Sequence, residues 1–155
     1  MNNTTQMEIS EKGLEFIKNE EGFVSCPYLD QVKKWTIGIG STFYENGNPV
    51  QQHDPCITPE RAMELVKNYL KPVMQEIPIL VGKPLTQNQF DAICSFIYNI
   101  GMGAFKSSTL LKKMKVNPND SMITNEFQKW VKGGGKVLGV LVGRRQREAQ
   151  LYFQI

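Results

Sequence analysis

A chain of 155 residues has the length of one ordinary domain and can bury a sizeable core. With 41% hydrophobic and 21% charged residues, neither a disordered nor a fibrous class fits. The formal charge of +3 would help association with nucleic acid, a membrane surface or an acidic cell-wall glycan but selects none of them, because the basic residues are scattered apart from Arg144, Arg145 and Arg147.

Residues Met1 to Glu8 show no cationic stretch followed by an apolar one, so no secretory signal is expected. From Ser10, the run SEKGLEFIKNEEG predicts a short helix, with Ser10 as N-cap, Leu14 and Ile17 on one face and Gly22 as the stop. Glu20 and Glu21 then sit at its C-terminal end. Two carboxylates there oppose the helix dipole, which argues against a purely structural role for both. Between Pro27 and Val50 the character changes: WTIGIG and ENGN give strand and turn signals for a small antiparallel sheet of two or three strands. The alternation of Gly38 and Gly40 marks backbone that bends or approaches another segment closely.

Thr58-Pro59-Glu60 supplies an N-cap, a first-position proline and an early acid for a long helix that continues, kinked, past Pro72 toward Pro78. Thr86 to Gln89 forms a capping box ahead of a buried stripe of Phe90, Ile93, Cys94, Ile97 and Tyr98, ended by Gly101 and Gly103. Ser107 or Ser108 starts another helix, and Asn117-Pro118 a further one carrying Phe127 and Trp130. Lys132 to Lys136, with three glycines, is expected to be a mobile loop. A last helix runs from about Val140 to Phe153, with Leu141, Arg144, Arg145, Glu148 and Leu151 at helical spacing.

The fold class is therefore α+β: a small antiparallel β lobe over residues about 15–57, a joining helix over about 58–80, and a larger helical lobe over about 81–155 together with the N-terminal helix, all within one domain of 155 residues. Apolar clusters are too short or too interrupted for stable membrane insertion. Cys26, Cys56 and Cys94 have no metal-type spacing and His53 has no partner histidine, so no metal site is expected. Cys94 belongs in the core. A disulfide between Cys26 and Cys56 stays open, because the sequence gives no geometry.

Hydrolysing a glycosidic bond takes an acid for the leaving oxygen and a second group that places a water or nucleophile opposite it. Glu21 at a helix end, Asp30 in the following loop and Thr36 entering a strand could face one cleft and perform that chemistry. Glu20 is the rival for the acid. Taken singly, Asp30 is an ordinary turn residue and Thr36 an ordinary strand residue.

The spacing carries a resemblance. Glu21-Gly22, eight residues between Glu21 and Asp30, five between Asp30 and Thr36 and then Thr36-Ile37-Gly38-Ile39-Gly40 resemble the phage-type lysozymes of glycoside hydrolase family 24, the family of the T-even phage enzyme. Leu85 to Ala92, Tyr98 to Gly101, Gly103 to Leu111 and the helix from Arg144-Arg145 to Glu148 extend the similarity over nearly the whole chain. The resemblance implies a lysozyme-like fold and an endolysin that cleaves the β-1,4 bond between N-acetylmuramic acid and N-acetylglucosamine in peptidoglycan, inverting, with no metal or organic cofactor. It implies Glu21 as general acid, Asp30 and Thr36 holding the attacking water, and Arg144 orienting Glu21. Asn99 is a candidate for binding an N-acetyl sugar, with helix capping as the alternative, and Trp35 is a candidate for stacking on a sugar, with packing as the alternative.

The implied partner is peptidoglycan, with no nucleic acid, the enzyme acting as a monomer. It is expected in the host cytoplasm until a holin opens the membrane, then at the cell wall. Two departures stand out. Ser41 replaces the histidine that many members carry after Gly-x-Gly, and the usual proline is missing from Lys136 to Leu141. Rival readings are a glycan-binding module without turnover, a nucleic-acid binder using Arg144, Arg145 and Arg147, and a lytic transglycosylase, which needs only one acid.

Overall fold

The structure is a computed structural model that describes residues 6–155. The first five residues, on which part of the N-terminal signal reading rests, lie outside the described residues. The class is α+β, mostly helical with small antiparallel sheets. The elements run α1 (Glu11–Glu21), β1 (Val24–Leu29), β2 (Trp35–Gly38), α2 (Pro59–Val81), α3 (Gln87–Ile100), α4 (Met102–Lys106), α5 (Thr109–Val116), α6 (Ile123–Gln128), β3 (Lys132–Gly133), β4 (Lys136–Val137) and α7 (Gly139–Tyr152). Contacts divide the chain into two compact units, Leu14–Lys71 and the remainder, so that α1 and α2 each contribute residues to both.

In the unit Leu14–Lys71, β1 and β2 pair antiparallel with Tyr28 opposite Thr36 and Leu29 opposite Trp35, and the register shifts between Val24 and Tyr28. Isolated bridges Ile37–Ser41 and Phe43–Pro49 extend the turn-rich segment without adding a full strand. Its small core gathers Ile37, Val50 and Leu65, with Trp35, Tyr44 and Ile57 packed against them. A disulfide joins Cys26 to Cys56, closing the pairing that the sequence left open. It reinforces two hydrogen bonds beside it: Ile57 N–H donates to Ser25 O at 2.8 Å, and Ser25 Oγ donates to Ile57 O at 2.9 Å. Thr58 Oγ1 caps α2 by accepting from Arg61 N–H at 3.1 Å.

In the other unit, α7 packs on α3 and α6. The Thr86 capping box forms as its sequence predicts, with Gln89 N–H donating to Thr86 Oγ1 and Thr86 N–H donating to Gln89 Oε1. Ser108, rather than Ser107, caps α5. Phe96 is the centre of an aromatic group, edge-on to Phe105, Phe127 and Trp130. Cys94 is fully buried, and burial pushes its thiol well above its ordinary pKa. Among the described residues, no helix is long and apolar enough to cross a membrane.

Two expectations are corrected. Asn117-Pro118 does not open a helix: Asn117 ends α5, its Oδ1 accepts from Asn119 N–H, and Asp120 Oδ1 accepts from Met122 N–H, so two side-chain turns delay α6 to Ile123 and leave Trp130 beyond its end. The stretch Lys132 to Lys136 is a short hairpin, β3–β4, rather than an open loop. Leu138 N–H donates to Val131 O at 2.9 Å, and a methyl group on Gly133 would lie 2.5 Å from Leu138 Cδ1, so the glycine lets the leucine close over the hairpin.

Candidate active site

Three sequence candidates, Glu21, Asp30 and Thr36, lie in the unit Leu14–Lys71. Ser10 Oγ starts α1 by accepting from Gly13 N–H at 3.1 Å, and Gly22, at φ +75°, ends it by donating to Lys18 O at 2.8 Å. Glu21, the last helical residue, is thereby delivered half-buried to the end of the β1–β2 hairpin. Its carboxylate rests on Gly40, where an added methyl would stand 3.0 Å from Glu21 Oε2. Gly40 is at φ +75° as well, so its backbone favours glycine, and an added methyl would make the Glu21 carboxylate give by a few tenths of an ångström. Gly38, at φ +67°, lies equally close to α2, 2.9 Å from Ala62 Cβ by the same measure. The Gly-Ile-Gly run thus holds the hairpin against two helices.

Asp30 organises the turn between the strands. Its N–H donates to Lys34 O at 3.0 Å, and its Oδ1 accepts from Val32 N–H at 2.9 Å and Lys34 N–H at 2.8 Å. Lys33 takes the left-handed conformation at φ 61° to make this possible. Two amides fix one carboxylate oxygen, and Oδ2 accepts no hydrogen bond from the described residues. Thr36 is 3% exposed and its hydroxyl donates to Lys34 O at 3.0 Å, which leaves the oxygen as an acceptor.

Sequence reasoning missed Tyr28. Directly opposed residues of an antiparallel pair share a face, so Tyr28 and Thr36 do. Burial raises the Tyr28 phenol above its ordinary pKa, and the negative charges of Glu21 and Asp30 raise it further. The charges of both carboxylates, one on α1 and one in the turn, therefore act on this phenol. The signal available in the sequence was the two-residue spacing of Tyr28 and Asp30 at the end of a strand.

Trp35 is half-buried and packs on Ile37, Val50 and Leu65, the packing alternative named for it. The more exposed aromatic is Phe43, at 50%, with Lys34 Nζ 4.9 Å from its ring centre. Tyr44 donates to Asp54 at 2.7 Å; burial first, and then that hydrogen bond and charge, push its phenol up to about 12. Among the described residues, no group of three or more His, Cys, Asp or Glu could hold a metal ion.

Asn99 and Arg144 lie in the helical unit, in a network that the Arg144, Arg145, Glu148 spacing foreshadows. Glu148, fully buried, accepts from Ser95 Oγ at 2.6 Å, from Arg144 Nε at 3.3 Å and from Arg145 Nη1. Arg144 also donates to Ser95 O at 3.1 Å. Arg145 donates to Trp130 O at 2.9 Å and to Asn99 Oδ1, and stacks 5.0 Å from the centre of Phe96. Asn99 is not a cap, since α3 ends at Gly101; its amide carbonyl is engaged internally and its exposed side chain keeps an NH2 donor. Arg144 and Arg145, two of the three arginines read as a nucleic-acid patch, are buried and form an internal tie between α3 and α7.

The phage lysozyme family model matches residues 18–148. The chain is 41% identical to the endolysin of Acyrthosiphon pisum secondary endosymbiont phage 1 over 150 residues, covering 94% of this chain and 98% of that protein. It is 40% identical to the endolysin of Salmonella phage P22 over 146 residues, with the same two coverages. The crystal structure of a P22 lysozyme mutant superposes with a TM-score of 0.82 at 40% identity, over 96% of this chain and 99% of that one. The muramidase domain of SpmX from Asticaccaulis excentricus gives the same TM-score and coverages at 32% identity. The architecture is that of a lysozyme-like glycan hydrolase. The chain belongs to the phage lysozyme family and is a peptidoglycan-hydrolysing enzyme of the endolysin kind.

Proposed function

We propose that the enzyme is a muramidase of glycoside hydrolase family 24 that hydrolyses the β-1,4 bond between N-acetylmuramic acid and N-acetylglucosamine with inversion. Glu21 protonates the leaving glycosidic oxygen. A water held by Asp30 Oδ2 and the Thr36 hydroxyl attacks the anomeric carbon and gives its proton to Asp30, so that one water is consumed and two sugar ends result. The observation that carries this reading is that one hairpin holds both carboxylates. Its glycine end seats Glu21, and its turn pins Asp30 by one oxygen while leaving the other available.

Carboxamide replacement tests the roles. Glu21→Gln is expected to retain the folded-state circular dichroism and lose roughly 10²–10⁴-fold in turnover, the usual contribution of a general acid. Near-normal clearing of purified cell wall by that variant would overturn the assignment. Mass spectrometry of the digest should show reducing muramic-acid ends, since anhydro ends would mean transglycosylation. NMR of the first-formed anomer then reads inversion directly.

For the rest of the chain, the Asn99 NH2 is a donor suited to an N-acetyl carbonyl. We infer release of a monomer from the host cytoplasm by a holin, supported by kinship with phage endolysins. Fractionating an expressing host with and without a holin tests the route. Activity reaching the wall in the absence of a holin would refute it.

A further inference from the structure

We propose that Tyr28 is a positioning residue of the hydrolytic site, its hydroxyl donating a hydrogen bond to the Glu21–Asp30 carboxylate pair as negative charge passes from one to the other. The inference rests on the reading of Glu21 as acid and Asp30 as base. Three observations meet at this residue.

The register sets Tyr28 directly opposite Thr36, so the two side chains stand on the same face of the hairpin. Asp30 follows two residues later, the spacing that returns to that face, and is anchored there by the Val32 and Lys34 amides. Glu21 arrives from α1, with its carboxylate on Gly40 at the far end of the same hairpin. Tyr28 is half-buried, and among the described residues nothing accepts a hydrogen bond from its hydroxyl, which leaves the O–H able to rotate.

A phenol in that place stays protonated throughout the range in which a lysozyme works, because its neighbours and its burial both oppose the phenolate. It is therefore a permanent neutral donor beside two groups that exchange charge. Before reaction the anion is Asp30. As the bond breaks, Glu21 loses its proton to the glycosidic oxygen and Asp30 gains one from the water. A single rotatable O–H can follow the charge from one carboxylate to the other, and it holds the two apart on either side of the space the sugar must enter. The phenol itself gains and loses nothing.

Removing only the oxygen tests this. Tyr28→Phe should fold as the parent, retain KM for a soluble murein oligosaccharide within about twofold, and lose about tenfold in kcat, the size of one hydrogen bond to a charged group. A variant with unchanged kcat, or with the whole loss in KM, would overturn the proposal. A second measurement needs no activity. With tyrosine labelled at Cζ, the NMR titration midpoint of one ring should fall both in Glu21→Gln and in Asp30→Asn, and that resonance should be absent from Tyr28→Phe. If Tyr28→Phe does not fold, the shared fall in the two carboxamide variants still decides the matter, and no ring moving in both would overturn it. The two readings fail separately. An active Glu21→Gln sinks the catalytic assignment, whereas an inactive Glu21→Gln beside a fully active Tyr28→Phe sinks only the role of the phenol.

Discussion

The hairpin of Leu14–Lys71 and the α3–α7 junction each immobilise carboxylates, but by opposite means. At the junction, Glu148 is enclosed by two guanidiniums and a hydroxyl, and every charge finds a counter-charge. In the hairpin, Asp30 is oriented by uncharged backbone amides. A carboxylate matched by cations is a structural tie. In one held by main-chain amides on a single oxygen, as Asp30 is, the second oxygen accepts no hydrogen bond from the described residues.

The sharpest way to break this contrast is at Glu148. Glu148→Ala removes the buried anion that Arg144 and Arg145 share and should cost about 3–5 kcal/mol by urea denaturation. A loss below about 1 kcal/mol would show that the junction does not depend on charge matching. Opening the Cys26–Cys56 link releases a 30-residue loop and should cost about 3.5 kcal/mol, read as a lower thermal midpoint in Cys26→Ser/Cys56→Ser. Gly40→Ala is the subtlest. Its positive φ makes a side chain cost about 1–2 kcal/mol, yet its methyl would press on Glu21, so activity should fall by more than the folded fraction does. Activity and stability falling in proportion would mean that Gly40 only shapes the turn.

How much of this was legible beforehand follows from the range of each interaction. Helix starts at Ser10, Thr58 and Thr86 were readable because a cap is decided within four residues. The start of α6 was not, since Asn117-Pro118 can open a helix or form a turn, and the side-chain bonds of Asn117 and Asp120 favour turns. The three glycines of Lys132 to Lys136 looked like a loop, yet Leu138 folds over Gly133 and closes a hairpin. The Cys26–Cys56 pairing needs two segments brought together, which spacing does not report. At the site, the order of Glu21, Asp30 and Thr36 was visible as spacing and resemblance. Tyr28 was not, because a tyrosine in a strand fits packing until register reveals what stands opposite it.

The turn at Asp30 has a consequence for how such a protein can diverge. Because main-chain amides hold the carboxylate, the side chains of Gln31, Val32 and Lys34 take no part in orienting it, and Val32 is 80% exposed. These positions can exchange size and charge without re-aiming the Asp30 carboxylate. Lys33 is the exception through its backbone alone, and glycine or asparagine would occupy its left-handed geometry with less strain. The loop can therefore vary in what it presents to the outside while its inner geometry stays the same.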